Sequence, residues 1–305
     1  MGNARAIDLF AGAGGFTEGA TRAGVDVVWA ANHWPDAVEI HRANHPSADH
    51  VCQDLQQADW SQVPEHDLLL ASPSCTGFTR ARGKERPSHE QARSTAWAVV
   101  SCAEYHRPPV VVVENVPEFK NWILFDAWAA ALKALGYALT LREADAADAG
   151  VPQHRVRLFV IATRTAAPFD LQLPKVDHVP ASSVIDFDLG PWSDIEKPGR
   201  ATATLERIAR GRARYGDRFV MPYYSGGSGL TGRSLDRPLG TVTTRGRWGL
   251  VDGSRMRMLQ PSELCGAMGF PTDYKLPTSK VKAIHMLGNA VCPPVVEQIV
   301  RAVAS

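Results

Sequence analysis

The sequence predicts a doubly wound, mostly parallel α/β domain with a smaller irregular lobe, and three observations carry that prediction. An apolar run, Arg5–Phe10, meets a glycine-rich turn, Ala11-Gly12-Ala13-Gly14-Gly15, and then a helix-like segment, Thr17–Ala23. Strand, glycine turn and helix form the nucleotide-binding start of a Rossmann-like sheet. Further short apolar runs, Asp67–Ala71 and Val110–Val113, alternate with helical patterns, as strands buried on both faces do. After Thr163 the texture changes, and residues 168–238 are rich in Pro, Gly and Arg with little periodicity. The expected division is therefore residues 1–165 with 283–305 as the larger domain, 166–250 as the lobe and 251–282 as a hinge.

Composition narrows the class. A chain of 305 residues with 45% hydrophobic content can bury one large domain, or a domain and a lobe. No apolar run is long enough to span a bilayer, and the chain enters its first strand without a signal peptide. The five cysteines, Cys52, Cys75, Cys102, Cys265 and Cys292, are widely spaced and form no CxxC pair. No metal centre is expected, and a reducing cytoplasm is. The net charge of +1 does not mark a nucleic-acid binder; only the placement of charge can.

In chain order, the FAGAGG turn has tighter spacing than the dinucleotide GxGxxG. It suits a ligand lacking a pyrophosphate, such as S-adenosylmethionine. A second strand, Val25–Ala30, leads to Asn32-His33-Trp34; folds of this kind keep an acidic residue there for ribose hydroxyls, and this one has His33. Trp34 is either a face for adenine or core packing. A helix, Pro35–Asn44, precedes Asp54, which either accepts from an adenine amino group or caps the next segment. The fourth strand stops at Ser72-Pro73, just before Cys75. A thiol at a strand end is either a nucleophile or, more commonly for a lone cysteine, a small buried hydrophobe. Residues 76–90, with Arg80, Arg82, Lys84 and Arg86 among small residues, have the composition of a phosphate-contacting lid. After a helix, Gln91–His106, strand Val110–Val113 ends in Glu114, a carboxylate that needs a partner there. A helix (122–135) and a strand (137–142) follow, and then Arg155 and Arg157 enter strand 158–162. Alternating along it, they are expected to share a face and to need acidic partners. In the lobe, Arg207, Arg210, Arg212 and Arg214 fall on a segment, 205–215, that reads either as a nucleic-acid contact or as an amphipathic surface helix. The last helix, 295–303, is expected to pack on the large domain.

Together these segments resemble the DNA (cytosine-5)-methyltransferase family, in the family's motif order and over nearly the whole chain except the lobe. Asp8–Gly15 is similar to the cofactor motif, Pro73-Ser74-Cys75 to the proline–cysteine loop, Glu114-Asn115-Val116 to the ENV motif and Gln153–Arg157 to QxRxR. Residues 237–244 and 288–291 are similar to the last two motifs. The resemblance implies an S-adenosylmethionine-dependent methyltransferase domain with a target-recognition lobe. It implies Cys75 as nucleophile at cytosine carbon 6, Glu114 at N3 and the 4-amino group, Arg157 at the 2-carbonyl, and Arg155 and Asn115 bracing the loops. It implies cofactor contacts at Phe10, Gly12, Gly14, Gly15, Phe16, His33, Trp34, Asp54, Leu55, Pro73, Asn289 and Ala290. It also implies DNA contacts at Thr79, Arg80, Arg82, Lys84 and Gln153, and the arginine density of the lobe, which the resemblance does not cover, adds Arg207, Arg210, Arg212 and Arg214.

Three departures from the family pattern stand out: Ser74 where a second proline is usual, Thr76 where glutamine is usual, and His33 for the acidic residue. A neutral imidazole accepts one hydrogen bond where a carboxylate accepts from both ribose hydroxyls. Either cofactor binding leans on Trp34 and Asp54, or the pocket suits a modified cofactor such as carboxy-S-adenosylmethionine. The expected partner is double-stranded DNA, with the base flipped out for reaction. The expected protein is a cytoplasmic monomer, encoded by a bacterium or phage and paired with a restriction endonuclease or acting alone. RNA as substrate and a non-catalytic DNA-binding relative are the competing readings.

Overall fold

The parallel strands begin where the apolar runs predict them. The structure, a computed structural model, describes residues 4–75, 78, 92–168, 170–223 and 231–304. The chain divides into two units: Met1–Asp145, Val156–Pro174 and Val291–Ser305 form one, and Ala146–Arg155 with Lys175–Ala290 form the other.

The first unit is built on β1 (Arg5–Leu9), β2 (Asp26–Asn32), β3 (Asp49–Cys52), β4 (Leu68–Ala71), β5 (Val110–Asn115), β6 (Ala138–Asp145) and β7 (Val156–Thr163). Their order is β3-β2-β1-β4-β5-β7-β6. Neighbours from β3 through β5 are parallel, while β7 runs antiparallel to both β5 and β6. Every residue of β4 is buried, which is why its run is continuously apolar rather than alternating. The crossovers use α1 (Gly15–Arg22), α2 (Pro35–Asn44), α3 (Ala96–His106) and α4 (Phe125–Ala134), and the chain ends in α8 (Pro293–Ala304). Trp128, Phe119 and Leu132 are fully buried under this sheet. Helix α1 lies close on α8: a Cβ on Gly15 would run into the Val291 carbonyl, and one on Gly19 into Val296 and the Pro293 carbonyl. Small residues thus allow the last helix to pack on the first.

The second unit carries an antiparallel sheet, β8 (Ser193–Asp194), β11 (Arg255–Met258), β10 (Trp248–Asp252) and β9 (Arg218–Pro222), in that order. Helix α5 (Thr202–Tyr215) covers it, with Ile208, Phe219, Met221, Val251 and Met256 in its core. Gly211 of α5 leaves room for the Phe219 ring. Residues 251–282 contain β11 and α6 (Pro261–Ala267), and α7 (Lys280–Asn289) follows. Strands of four and five residues display too few turns of the period-2 pattern to stand out in sequence. Arg257 and Glu263 form a fully buried ion pair at 2.7 Å, and Glu263 also accepts the Gln260 N–H at the start of α6. Among the described residues no helix is long and apolar enough to cross a membrane.

Candidate active site

In a parallel sheet the carboxyl ends of the strands point to one edge, and ligands bind where the strand order reverses. Here that point lies between β1 and β4. Past β1, Phe10, Gly12 and Gly14 all adopt positive φ, at 62°, 55° and 85°. Glycine takes this conformation freely, whereas at Phe10 it costs roughly 1–3 kcal/mol. The turn is held by Gly14 N–H to the Ala11 carbonyl (2.8 Å) and Ala11 N–H to the Ala31 carbonyl (3.0 Å). A Cβ on Gly12 would meet only the Phe10 carbonyl, at 3.7 Å, so the backbone of the turn can be approached closely by a ligand. Phe16 is buried beneath it.

Behind the turn, Asp8 is fully buried and accepts from the Thr17 hydroxyl (2.8 Å) and N–H (3.2 Å). Burial pushes its carboxyl up to about 7, against the lowering effect of the Thr17 bonds. Thr17 also contacts His41 Nε2 (3.0 Å), and His41 Nδ1 contacts His50 Nε2 (2.8 Å). Burial and the neighbouring His45 and His50 hold His41 well below the usual imidazole range. The strand before the glycine turn is therefore tied to α1, α2 and β3 through a chain of buried side chains, Asp8, Thr17 and His41, that ends at His50.

Strands β2 and β3 end side by side, with Asn32 opposite Cys52. This brings His33 and Trp34 to the same edge as Asp54 and Leu55. His33 is exposed, and Trp34 is half-buried with its indole N–H donated to Asp36 at 3.1 Å. Asp54 accepts the Gln56 N–H at 3.0 Å and so caps the short turn Leu55–Gln57; its exposed carboxylate has capacity for a second donor.

At the end of β4, Ser72 N–H donates to the Leu9 carbonyl (3.1 Å), and Asn115 Nδ2 donates to the Pro73 carbonyl (3.0 Å). Ser74 N–H is received by Thr95 Oγ1 (3.1 Å). Cys75 follows, half-buried, in no disulfide and packed against the core, and its carbonyl accepts the Phe78 N–H at 2.9 Å. The Phe78 ring is buried edge-on to Phe119, centroids 5.0 Å apart. Cys102 and Cys265 differ in kind: burial pushes the Cys265 thiol up to about 12 and the Cys102 thiol beyond that, so both are inert. Sequence reading misses Thr95 and Phe78, which anchor the two sides of Cys75 from distant or apolar positions that no local motif marks.

Strand β5 is parallel to β4, with Val113 opposite Ala71, so Glu114 emerges beside the Cys75 turn. Phe159 of β7 lies opposite Glu114. Arg157, two residues earlier, shares its face and reaches Glu114 diagonally. Arg157 Nε and Glu114 Oε1 are 3.1 Å apart, in a pair of largely buried side chains. Arg157 also donates to the Val156 carbonyl at 2.8 Å.

The expectation that Arg155 shares a strand face with Arg157 does not hold. Strand β7 starts at Val156, and Arg155 donates to the carbonyls of Val242 (2.9 Å), Gly288 (2.9 Å) and Ala290 (2.8 Å) within the second unit. Gln153, expected at the DNA, is fully buried there. Its amide donates to the Ala267 carbonyl (2.9 Å) and accepts the Val242 N–H (2.5 Å), so it is satisfied inside the protein. Asn289 and Ala290 also lie in the second unit, where Asn289 contacts His285 at 3.3 Å. On α5, Arg207 donates to the Pro222 and Tyr223 carbonyls (2.8 and 3.2 Å), and Arg212 donates to the Gly253 carbonyl. Arg210 pairs loosely with Glu206 at 3.8 Å, and Arg214 lies over the Tyr215 ring at 5.4 Å. Thr79, Arg80, Arg82 and Lys84, with the rest of the expected lid apart from Phe78, fall outside the described residues.

This sheet order, with a glycine turn after β1, defines the α/β fold of S-adenosylmethionine-dependent methyltransferases. A DNMT2 mutant from Spodoptera frugiperda superposes with a TM-score of 0.75 at 18% identity, covering 99% of this chain and 100% of that one. A DNA modification methyltransferase encoded in an E. coli prophage gives 0.72 at 20% identity, covering 99% of both chains. The sequence is more specific: residues 4–189 and 196–305 match the C-5 cytosine-specific DNA methylase family, and the chain belongs to that family. Among curated relatives, the type II methyltransferase M.HhaI of Haemophilus parahaemolyticus is 28% identical over 325 residues, covering 99% of this chain and 94% of that protein. M.BsuFI of Bacillus subtilis, also a type II methyltransferase, is 26% identical over 303 residues, covering 97% of this chain and 71% of that protein.

Proposed function

We propose that the chain methylates carbon 5 of cytosine in double-stranded DNA, using S-adenosylmethionine and a covalent bond from Cys75 to carbon 6. The supporting observation is the juxtaposition of the half-buried Cys75, which is in no disulfide, past β4 with the Glu114–Arg157 pair past the adjacent β5. Carbon 5 of cytosine is a poor nucleophile. Attack by the Cys75 thiolate at carbon 6 moves the ring electrons onto carbon 5 and makes it enamine-like. Glu114 hydrogen-bonds N3 and the 4-amino group and draws electron density toward N3, while Arg157 orients Glu114 and binds the 2-carbonyl. Bound S-adenosylmethionine supplies the electrophilic methyl group. Loss of the carbon 5 proton then expels Cys75 and restores the aromatic ring. A base inside a duplex presents neither ring face, so the cytosine must leave the stack.

The residues at the edge fit the cofactor. The turn Phe10–Gly15 offers close backbone approach, Trp34 a partly exposed indole, and Asp54 an exposed carboxylate. His33 is the weak point, because it supplies one acceptor for two ribose hydroxyls. His33→Glu is expected to bind S-adenosylmethionine roughly tenfold tighter, one added charge-assisted hydrogen bond being worth about that factor. Equilibrium binding of labelled cofactor checks it; unchanged or weaker affinity removes the idea that the imidazole limits binding, and leaves a modified, carboxylated cofactor as the reading of this position.

Substrate class is tested by labelled-methyl transfer to duplex DNA and to structured RNA side by side. Label in DNA with none in RNA is expected. Label in RNA alone overturns the DNA reading, and label in neither polymer overturns the enzyme. The type II relatives are the basis for expecting a short specific recognition sequence and a companion restriction endonuclease.

A further inference from the structure

The arginines that sequence reading assigns to DNA are unevenly available. Main-chain carbonyls engage Arg207 and Arg212, and Glu206 faces Arg210. Arg214, at the end of α5, instead lines a cavity of ≈ 640 Å³ together with Tyr215, Gly232, Arg233, Ser234 and Arg237. Two of its three arginines lie outside the α5 cluster. Arg233 is fixed by a two-way backbone bridge to Val220 of β9, at 2.8 and 3.1 Å. Its Nε is buried with no hydrogen-bond partner. With three guanidinium groups and no carboxylate among its lining residues, the cavity is a concave electropositive site that a bound anion neutralises. Arg237 and Arg214 have no carboxylate partner among the described residues. Asp236, next to Arg237 in sequence, is exposed, and its carboxylate accepts the Ser234 hydroxyl at 2.9 Å. Gly232 packs directly on the lobe's core: a Cβ there would press on Phe219 and the Val220 carbonyl.

We propose that this cavity seats a backbone phosphate of the duplex, gripped by Arg214, Arg233 and Arg237. Guanidinium forks match the paired oxygens of a phosphodiester, and contacts to phosphate fix position without reading sequence. The cavity therefore sets the register of the second unit on DNA, and base readout falls to other side chains. The proposal rests on DNA being the substrate.

Duplex binding measured over a range of salt concentrations tests it. Each phosphate neutralised contributes about 0.9 to the slope of log K against log[salt]. Arg214→Gln and Arg237→Gln each lower the slope, and the double variant lowers it by about 0.9 in all, since one phosphate is lost rather than two. Arg210→Gln on the same helix changes the slope by much less. Arg233→Gln is a secondary probe because its packing could affect folding; the two rim variants carry the test without it. A slope unchanged in the double variant, or lowered equally by Arg210→Gln, overturns the proposal. So does inorganic phosphate or a mononucleotide binding the wild type but not the double variant while duplex binding is unaltered, which makes the cavity a small-anion site. A wild type that binds no duplex at all overturns instead the DNA reading on which the proposal rests.

Discussion

Cys75→Ala should abolish methyl transfer to cytosine, to below detection, while the protein remains folded and binds cofactor as the wild type does. Without a nucleophile at carbon 6 there is no electron-rich carbon 5, and no other side chain can replace the thiol. Cys102 and Cys265 cannot stand in: burial holds their thiols in the neutral form, and the thiolate is the nucleophile. The stability change should be small, within about 1 kcal/mol, because Cys75 is only half-buried and its turn is held by main-chain and Thr95 bonds that alanine keeps. Labelled-methyl transfer with a thermal melt and a cofactor-binding isotherm separates the outcomes. Residual Cys75-independent transfer would mean a different nucleophile, and loss of folding would mean the thiol is structural.

Glu114→Gln should lower kcat by roughly 10²–10⁴, the usual worth of a positioned acid–base group. The amide keeps the shape and can still meet the Arg157 N–H, but it cannot share a proton with N3 and no longer holds the guanidinium by charge. Because the pair is largely buried, the variant also replaces a charge-assisted bond to Arg157 with a neutral one and leaves the guanidinium charge without its counter-charge. A stability loss of about 1–3 kcal/mol should follow. Steady-state kinetics on duplex DNA, at saturating cofactor, distinguishes the two effects. A fall in kcat with little change in cofactor affinity supports catalysis at N3, whereas a change in stability alone reduces Glu114 to a partner for Arg157.

How much of this was legible in the sequence follows from what each residue depends on. Cys75 and Glu114 stand just past continuous apolar runs, and a parallel strand order is enough to put such positions on one edge. The left-handed Phe10–Gly14 turn is legible for the same local reason: glycine punctuates it. What the sequence does not display is partnership across the fold. Arg155 and Arg157 look equivalent in a QxRxR spacing, yet one braces three carbonyls and the other pairs with Glu114, because β7 begins between them. Gln153 and Arg207 have the chemistry of DNA contacts and spend it on the protein's own main chain. Arg233 and Arg237 escape notice because a cavity is a property of packing, and no spacing rule announces it. Strand β7, antiparallel between β5 and β6, likewise follows from its pairing along the whole of β6 rather than from its composition.

Nucleoside mass spectrometry of DNA from cells expressing the wild type and Cys75→Ala tests the central claim most directly, because it identifies the altered base and the added group together. The wild type should yield 5-methylcytosine, one methylene unit heavier than cytosine, and Cys75→Ala should yield none. Unmodified cytosine in wild-type DNA, a carboxylated group in place of methyl, or methylcytosine that persists without the Cys75 thiol would each contradict it.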